Sequence, residues 1–301
     1  MNRSWVEGRA LSVEAQTAMF GVTHPQPSTL NRHPERSWGI MHDIVADGFY
    51  WTDEEWGRAL RSRALGEVAA HFFTSLPLRL RGENGDEARD WARVAQTVGV
   101  PPERLLRLKQ VHGNHVVVVR PGEARPDSPP PEADIILSND PAVALAVQVA
   151  DCVPLLIADR ASGAVAAAHA GWRGTAANVA GTTVAALARE FGSRPSDLVV
   201  AHGPSIGPCC YTVGVELLEE FRRGGFEDWL DRWFSERDRG GLLLDLWAAN
   251  RAQLAAAGVP MEQIHQSGLC TASHPGVFAS YRRDGKGTGR IAAVIRVQAR
   301  A

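Results

Sequence analysis

Two histidines and one cysteine, each on a short turn beside an apolar run, offer the chain its clearest chemistry. They are His112 in Lys109-Gln110-Val111-His112-Gly113, Cys152 in Ala150-Asp151-Cys152, and His169 in His169-Ala170-Gly171-Trp172-Arg173-Gly174. Imidazole and thiolate ligands suit Zn²⁺, and three protein ligands leave a fourth position for water or substrate, whereas a structural zinc is normally closed by four. Taken singly, each residue reads as an ordinary hydrogen-bonded histidine or a small buried cysteine. Taken together, at the ends of apolar runs where α/β sites gather, they predict one open metal site.

The segment after His169 adds a second kind of chemistry. Gly171 and Gly174 allow close backbone approach, and Thr175 is placed to cap a helix over about 176–190 that stops at Gly192. A helix N-terminus with Arg173 beside it would take an anion such as phosphate. The alternative, that the glycines only make a tight turn and Arg173 is solvated, fits the same residues. Gly203-Pro204-Ser205-Ile206-Gly207-Pro208 forms a rigid loop suited to a pocket wall or to a crossover. The adjacent Cys209 and Cys210 are expected as reduced thiols, and Ser280-Tyr281-Arg282-Arg283-Asp284 offers cations and an aromatic ring near the C-terminus.

Elements that would position these residues alternate from about residue 66 onward. Strands are expected at 68–74, 105–110, 116–120, 142–149, 153–158, 164–168, 198–201 and 290–297, with 105–110 and 116–120 as strand–turn–strand about His112. Helices are expected at 86–98, 176–190, 213–223 and from Asp245 to Gly258, with a Pro-rich connector at 121–131. The nearly continuous apolar runs suit strands buried on both faces. The fold class is therefore α/β, a single large domain with central mixed β-sheets flanked by helices. Residues 1–65, with Trp5, Trp38, Trp51 and Trp56 among many charges, read as an N-terminal extension to a catalytic domain at 66–301.

Composition excludes several classes. The chain has 301 residues, 45% of them hydrophobic, and a formal net charge of -2, so no electrostatic case exists for a nucleic-acid or anionic-membrane partner. No run of about 18 apolar residues occurs. The start lacks the apolar core of a signal peptide, and the four cysteines are too few for a disulfide scaffold, which predicts a cytoplasmic protein.

Six segments together resemble the YfiH-like, laccase-domain proteins, also called multicopper polyphenol oxidases. They are Lys-Gln-Val-His-Gly (109–113), Ala-Asp-Cys-Val-Pro (150–154), His-Ala-Gly-Trp-Arg-Gly-Thr (169–175), Gly-Pro-Ser-Ile-Gly-Pro-Cys-Cys-Tyr (203–211), Ser-Gly-Leu-Cys-Thr (267–271) and Ser-Tyr-Arg-Arg-Asp (280–284) with Thr-Gly-Arg (288–290). The resemblance covers about 66–298, in the family's order.

It implies one zinc held by His112, Cys152 and His169, and phosphorolysis of adenosine, inosine, guanosine or methylthioadenosine, with adenosine deamination alongside. Purine nucleoside and phosphate would be the partners. It also suggests Asp151 and Arg173 in catalysis, and Gln110, Gly174, Thr175, Ser205 and Arg282 in substrate binding. Copper fits less well, since multicopper sites need many paired histidines and the chain has ten in all. Two alternatives stand beside the phosphorylase: a cysteine hydrolase using Cys152 with a histidine base, for which the resemblance implies cell-wall precursors as substrates, and a catalytically weakened relative with a binding role.

The chain departs from the family at Phe73-Thr74-Ser75-Leu76-Pro77, where Leu76 stands in place of a usual arginine. The stretch 77–90 is shortened, Asp90 replaces a common asparagine and Thr212 a frequent glutamate. Arg79 or Arg81 is available to replace the missing cation.

Overall fold

The computed structural model describes residues 47–78, 80, 81, 86–123, 129–237 and 241–298. Trp5, Trp38, Arg79 and the middle of the Pro-rich connector lie outside the described residues. In chain order the strands are β1 (Phe49–Glu54), β2 (Gly57–Ser62), β3 (Ala69–Thr74), β4 (Leu105–Arg107), β5 (Val116–Val119), β6 (Ile135–Ser138), β7 (Ala144–Val149) and β8 (Val153–Asp159). They continue as β9 (Val165–Ala170), β10 (Leu198–His202), β11 (Thr212–Val213), β12 (Phe234–Glu236), β13 (Leu242–Leu244), β14 (Ile264–Gln266) and β15 (Ile291–Val297). The helices are α1 (Arg63–Gly66), α2 (Asp86–Val98), α3 (Trp172–Ala176), α4 (Val179–Phe191), α5 (Glu216–Arg223), α6 (Leu230–Trp233), α7 (Leu246–Ala256) and α8 (Tyr281–Asp284).

Two six-stranded mixed sheets dominate, with strand orders β1-β2-β3-β15-β7-β4 and β14-β10-β8-β9-β6-β5. Most pairings are antiparallel, and β4–β7, β5–β6 and β10–β14 are parallel. The sheets face each other through one apolar cluster in which Leu145, Val147, Ala293 and Ile295 meet Leu156, Ala158, Val165 and Ala167. Alternate residues turn outward. On one outer face, Ala144, Ala146, Ala292 and Val294 pack under Trp91, Val94, Ala95 and Val98 of α2. On the other, Leu155, Ile157, Ala166 and Val200 pack under Val184 and Leu187 of α4 and Leu254 of α7. The four layers are thus helix, sheet, sheet, helix, and the long apolar runs exist because both faces of the central strands are covered.

Three local expectations need correction. First, β4 and β5 do not form a hairpin, since β4 pairs with β7 in one sheet and β5 with β6 in the other. The His112 turn is the crossover between sheets. Second, Thr175 is no N-cap: α3 begins at Trp172 with Gly171 capping, and Asn178 at φ 59 separates it from α4. Gly192 does close α4 in the left-handed conformation. Third, the first sheet begins before residue 66, because β2 pairs antiparallel with both β1 and β3. Trp51 stacks on Phe278 at 6.0 Å and Trp56 packs beside Phe72 at 6.2 Å.

Candidate metal centre and its cavity

One buried carboxylate builds most of the site. Asp134 precedes β6 and is fully buried. It accepts hydrogen bonds from the backbone N–H groups of Val111 (3.2 Å), His112 (3.0 Å) and Gly113 (2.7 Å), so the crossover turn wraps around it. It also accepts from Nδ1 of His169 at 2.7 Å. That bond fixes the His169 tautomer and leaves Nε2 with its lone pair for a ligand, the usual arrangement behind a metal-binding histidine. His112 itself sits at φ 64, an uncommon conformation for a non-glycine residue, held by this wrapped turn.

Strand pairing brings in the third ligand. Val153 pairs with Ala170 and Pro154 with His169 across β8 and β9, which sets Cys152 at the same sheet end as His169. The His112 and His169 rings are 4.8 Å apart at 79°. One ligand atom from each of His112, Cys152 and His169 lies within 4.8 Å of the other two, close to the span that metal–ligand bonds of about 2.0–2.3 Å allow. Gly171 is required here: a Cβ would lie 2.9 Å from Cys152 Sγ and 3.1 Å from His112 Cδ2.

The electrostatics suit a cation. Burial pushes the Cys152 thiol up, yet the charge on His169 and hydrogen bonds from both imidazoles outweigh it and bring the thiol to about 6. Burial pushes His169 down, while the Cys152 thiolate and Asp134 raise it to about 9. Burial also works against the Asp134 carboxylate, but His169 and the Gly113 amide hold it below its ordinary value. The donors are one ready thiolate and two imidazoles, a set that fits zinc. No carboxylate joins the three, and among the described residues no paired histidine cluster of the multicopper kind occurs.

A cavity of about 820 Å³ opens over these ligands. Its wall carries four arginines (Arg81, Arg173, Arg282 and Arg290) and the rings of Trp172, Tyr211 and Tyr281. Arg173 lies over the Trp172 ring at 4.2 Å, and Arg282 over Tyr211 at 4.9 Å. Burial and the neighbouring Arg81 charge hold Arg290 below its ordinary value. Among the described residues of this wall four guanidinium groups stand against two carboxylates, Glu87 and Asp151, a balance that favours an anion.

The sequence-expected residues divide. His112, Cys152, His169, Asp151, Arg173, Gln110 and Arg282 all line the cavity. The Gln110 side chain is committed at both ends to the backbone of Gln148, at 2.8 Å each way. Both Asp151 oxygens are also taken, one by the Thr271 hydroxyl and one by the Arg282 amide, each at 2.6 Å.

Gly174, Thr175 and Ser205 are buried and are not among the lining residues. A Cβ on Gly174 would lie 3.0 Å from the Gly113 carbonyl, so this glycine lets the two ligand loops pack against each other. The Thr175 hydroxyl accepts from Asn250 at 3.0 Å, and the Ser205 hydroxyl from Trp247 at 2.7 Å. Leu76 is absent from the wall, whereas Arg81 is part of it. Sequence reasoning missed Asp134, Tyr211 and Arg290. The last two lie inside segments already singled out, and a partner for His169 Nδ1 was foreseeable on general grounds.

Residues 59–298 match the multi-copper polyphenol oxidoreductase laccase family. The chain belongs to that family. It is 37% identical over 236 residues to the purine nucleoside phosphorylase YlmD of Geobacillus stearothermophilus, covering 76% of this chain and 86% of the relative. A purine nucleoside phosphorylase of Deinococcus radiodurans is 39% identical over 239 residues, covering 79% and 87%. The purine nucleoside phosphorylase YfiH of Escherichia coli is 34% identical over 252 residues, covering 81% and 96%. The crystal structure of YlmD from Geobacillus stearothermophilus superposes with a TM-score of 0.74 at 33% identity, covering 83% of this chain and 99% of that one. The family's α/β fold with mixed sheets is the fold described above, and an enzyme of the phosphorylase type is what these relatives support.

Proposed function

We propose that this chain is a zinc-dependent purine nucleoside phosphorylase that also deaminates adenosine, taking adenosine, inosine, guanosine or methylthioadenosine with phosphate. The observation that carries the reading is the open three-ligand set facing a cavity walled by four arginines. A zinc ion held by His112, Cys152 and His169 would supply Lewis-acid stabilisation of an oxyanion. Arg81, Arg173 and Arg290 bind and orient the phosphate, and their charge lowers the cost of bringing it to the anomeric carbon. Trp172, Tyr211 and Tyr281 offer ring faces to the purine. Asp151 acts by position: its bonds to Thr271 and the Arg282 amide hold the loop that presents Arg282 and Cys152.

The test incubates metal-replete protein with adenosine or inosine, with and without phosphate. Phosphate-dependent release of free base is expected, with inosine and ammonia formed from adenosine by hydrolysis. No turnover at any phosphate level would overturn the proposal. Arg81→Ala should raise KM for phosphate more than it lowers kcat, which would assign Arg81 the role left by Leu76.

A second reading has one observation in its favour. Cys152, His169 and Asp134 form a thiolate, imidazole and carboxylate line of the kind a thiol hydrolase uses. A hydrolase acting on cell-wall precursors would keep its activity in the presence of a zinc chelator. The phosphorylase would lose it.

A further inference from the structure

A second group of sulfur ligands lies beside the cavity wall. Cys209, Cys210 and Cys270 place their Sγ atoms within 4.8 Å of one another, with Cys209 and Cys210 3.5 Å apart. All three are free thiols, and they run from exposed through half-buried to buried in that order. The grouping is long-range in sequence. Ser205 and Cys270 form a parallel bridge, in which the Ser205 amide donates to Leu269 at 3.1 Å and the Thr271 amide to Ser205 at 3.0 Å. The amides of Cys210 and Tyr211 both donate to the Gly207 carbonyl, at 3.0 and 3.1 Å, and this tight turn folds two thiols back toward Cys270.

The surroundings are built for a thiolate. The Gly207 amide donates to Cys270 Sγ at 3.3 Å, the sort of hydrogen bond that orients a metal-bound sulfur. A Cβ on Gly207 would lie 2.8 Å from the Trp247 ring, so a side chain here would force the ring or this turn to shift. Three sulfurs about one ion at a metal–sulfur distance of about 2.3 Å stand roughly 3.8–4.0 Å apart, whether tetrahedral with one position open or trigonal. The observed separations, 3.5 Å for one pair and at most 4.8 Å for any, bracket that value. A disulfide between any two of the three would leave the third thiol unmatched.

We propose that Cys209, Cys210 and Cys270 form a second metal site, for one thiophilic cation: Zn²⁺ with an open position, or Cu⁺ in three-coordination. An all-sulfur set is softer than the His112–Cys152–His169 set, so the two sites differ in ion preference. Cys210 precedes Tyr211, which lines the cavity, and Cys270 precedes Thr271, whose hydroxyl holds Asp151. An ion here pins together the two loops that shape one side of the cavity. The proposal is independent of the phosphorylase reading.

The test counts metal on the full chain, reduced and reconstituted with Zn²⁺ or with Cu⁺ under a competing chelator. Both sites are expected to fill in the natural protein, with two equivalents of one ion or one equivalent of each. One should remain in the H112A/C152S variant, and one in the C209S/C210S variant, whose substitutions fall on the more accessible sulfurs and spare buried Cys270. Cd²⁺ added to H112A/C152S should give a thiolate-to-metal charge-transfer absorption that C209S/C210S removes when combined with it. An H112A/C152S protein that binds neither ion overturns the site. So does a C209S/C210S protein that still binds two, or a disulfide among these cysteines in protein kept reduced. The readout is stoichiometry, so a failure of nucleoside turnover leaves it intact.

Discussion

Asp134 spends both of its oxygens on the two histidine ligands, one directly and one through the turn that carries it, which makes its carboxylate the point where metal affinity can be separated from ligand identity. Asp134→Asn keeps the volume and turns one acceptor into a donor that faces N–H groups. Zinc affinity should fall about 10–100-fold, the usual effect of losing such a partner, measured by competition with a chromogenic chelator. Unchanged affinity would mean that the carboxylate does not orient the ligands. Gly171→Ala is a cleaner steric probe, because Gly171 has an ordinary backbone conformation at φ -75. The added methyl would stand 2.9 Å from Cys152 Sγ, so metal content should drop while the thermal transition of metal-free protein stays near its natural value. A fully loaded G171A protein would count against a ligand set this closely packed. At this scale the three candidate ligands were legible as a set because histidine and cysteine announce metal chemistry by type, and the structure brings them together. Asp134 was not, since a buried aspartate before a strand resembles any structural one until its neighbours across the sheet are known.

Elements decide which of the expected substrate residues reach the cavity. Thr175 looked like a helix cap beside an anion site, but it lies inside α3, and its hydroxyl and carbonyl are claimed by Asn250 and Gln253 of α7. Its role is to join α3 to α7 over the sheet. Thr175→Val keeps the shape and leaves one buried amide proton of Asn250 unpaired, which costs about 1–3 kcal/mol. The midpoint of urea unfolding should fall accordingly, while KM for phosphate stays within a factor of two. A large rise in KM at unchanged stability would return Thr175 to the site. The helix ends at Gly192 and Asp245 were readable because capping chemistry is local. The partners of β4 and β5 were not, because apolar periodicity records how many faces of a strand are covered and is silent on which strand lies beside it.

The layered molecule as a whole makes a prediction about pH. Each large sheet buries one neutral histidine, His71 on β3 and His202 on β10. His71 donates from Nδ1 to the Ala69 carbonyl and accepts the Ser62 amide at Nε2, at 3.1 and 2.8 Å, so a second proton would break the latter bond. Burial, with the Arg61 charge, lowers His71 to about 4 against the backbone bond that favours its proton. Burial and the Arg251 charge lower His202 to about 3, and its ring nitrogens have no hydrogen-bond partner among the described residues. Between these values and the ordinary 6.5, the unfolded chain binds protons that the folded one does not, so stability is full above 6.5 and is lost as pH falls. The Cys152–His169 pair adds little between pH 5 and 7 in metal-free protein, since the proton that the folded thiol gives up, at about 6 against an ordinary 9.0, is nearly matched by the one that the folded imidazole keeps, at about 9 against 6.5. At pH 5 each buried histidine therefore costs about 2 kcal/mol relative to neutral pH, a large share of the roughly 5–15 kcal/mol a domain has. Urea unfolding of metal-free protein at pH 7 and pH 5 measures the loss, and His202→Leu, which removes one of the buried imidazoles, should lessen it by about 2 kcal/mol. A pH dependence that the leucine variant leaves untouched would place the acid sensitivity somewhere other than in the buried histidines of the two sheets.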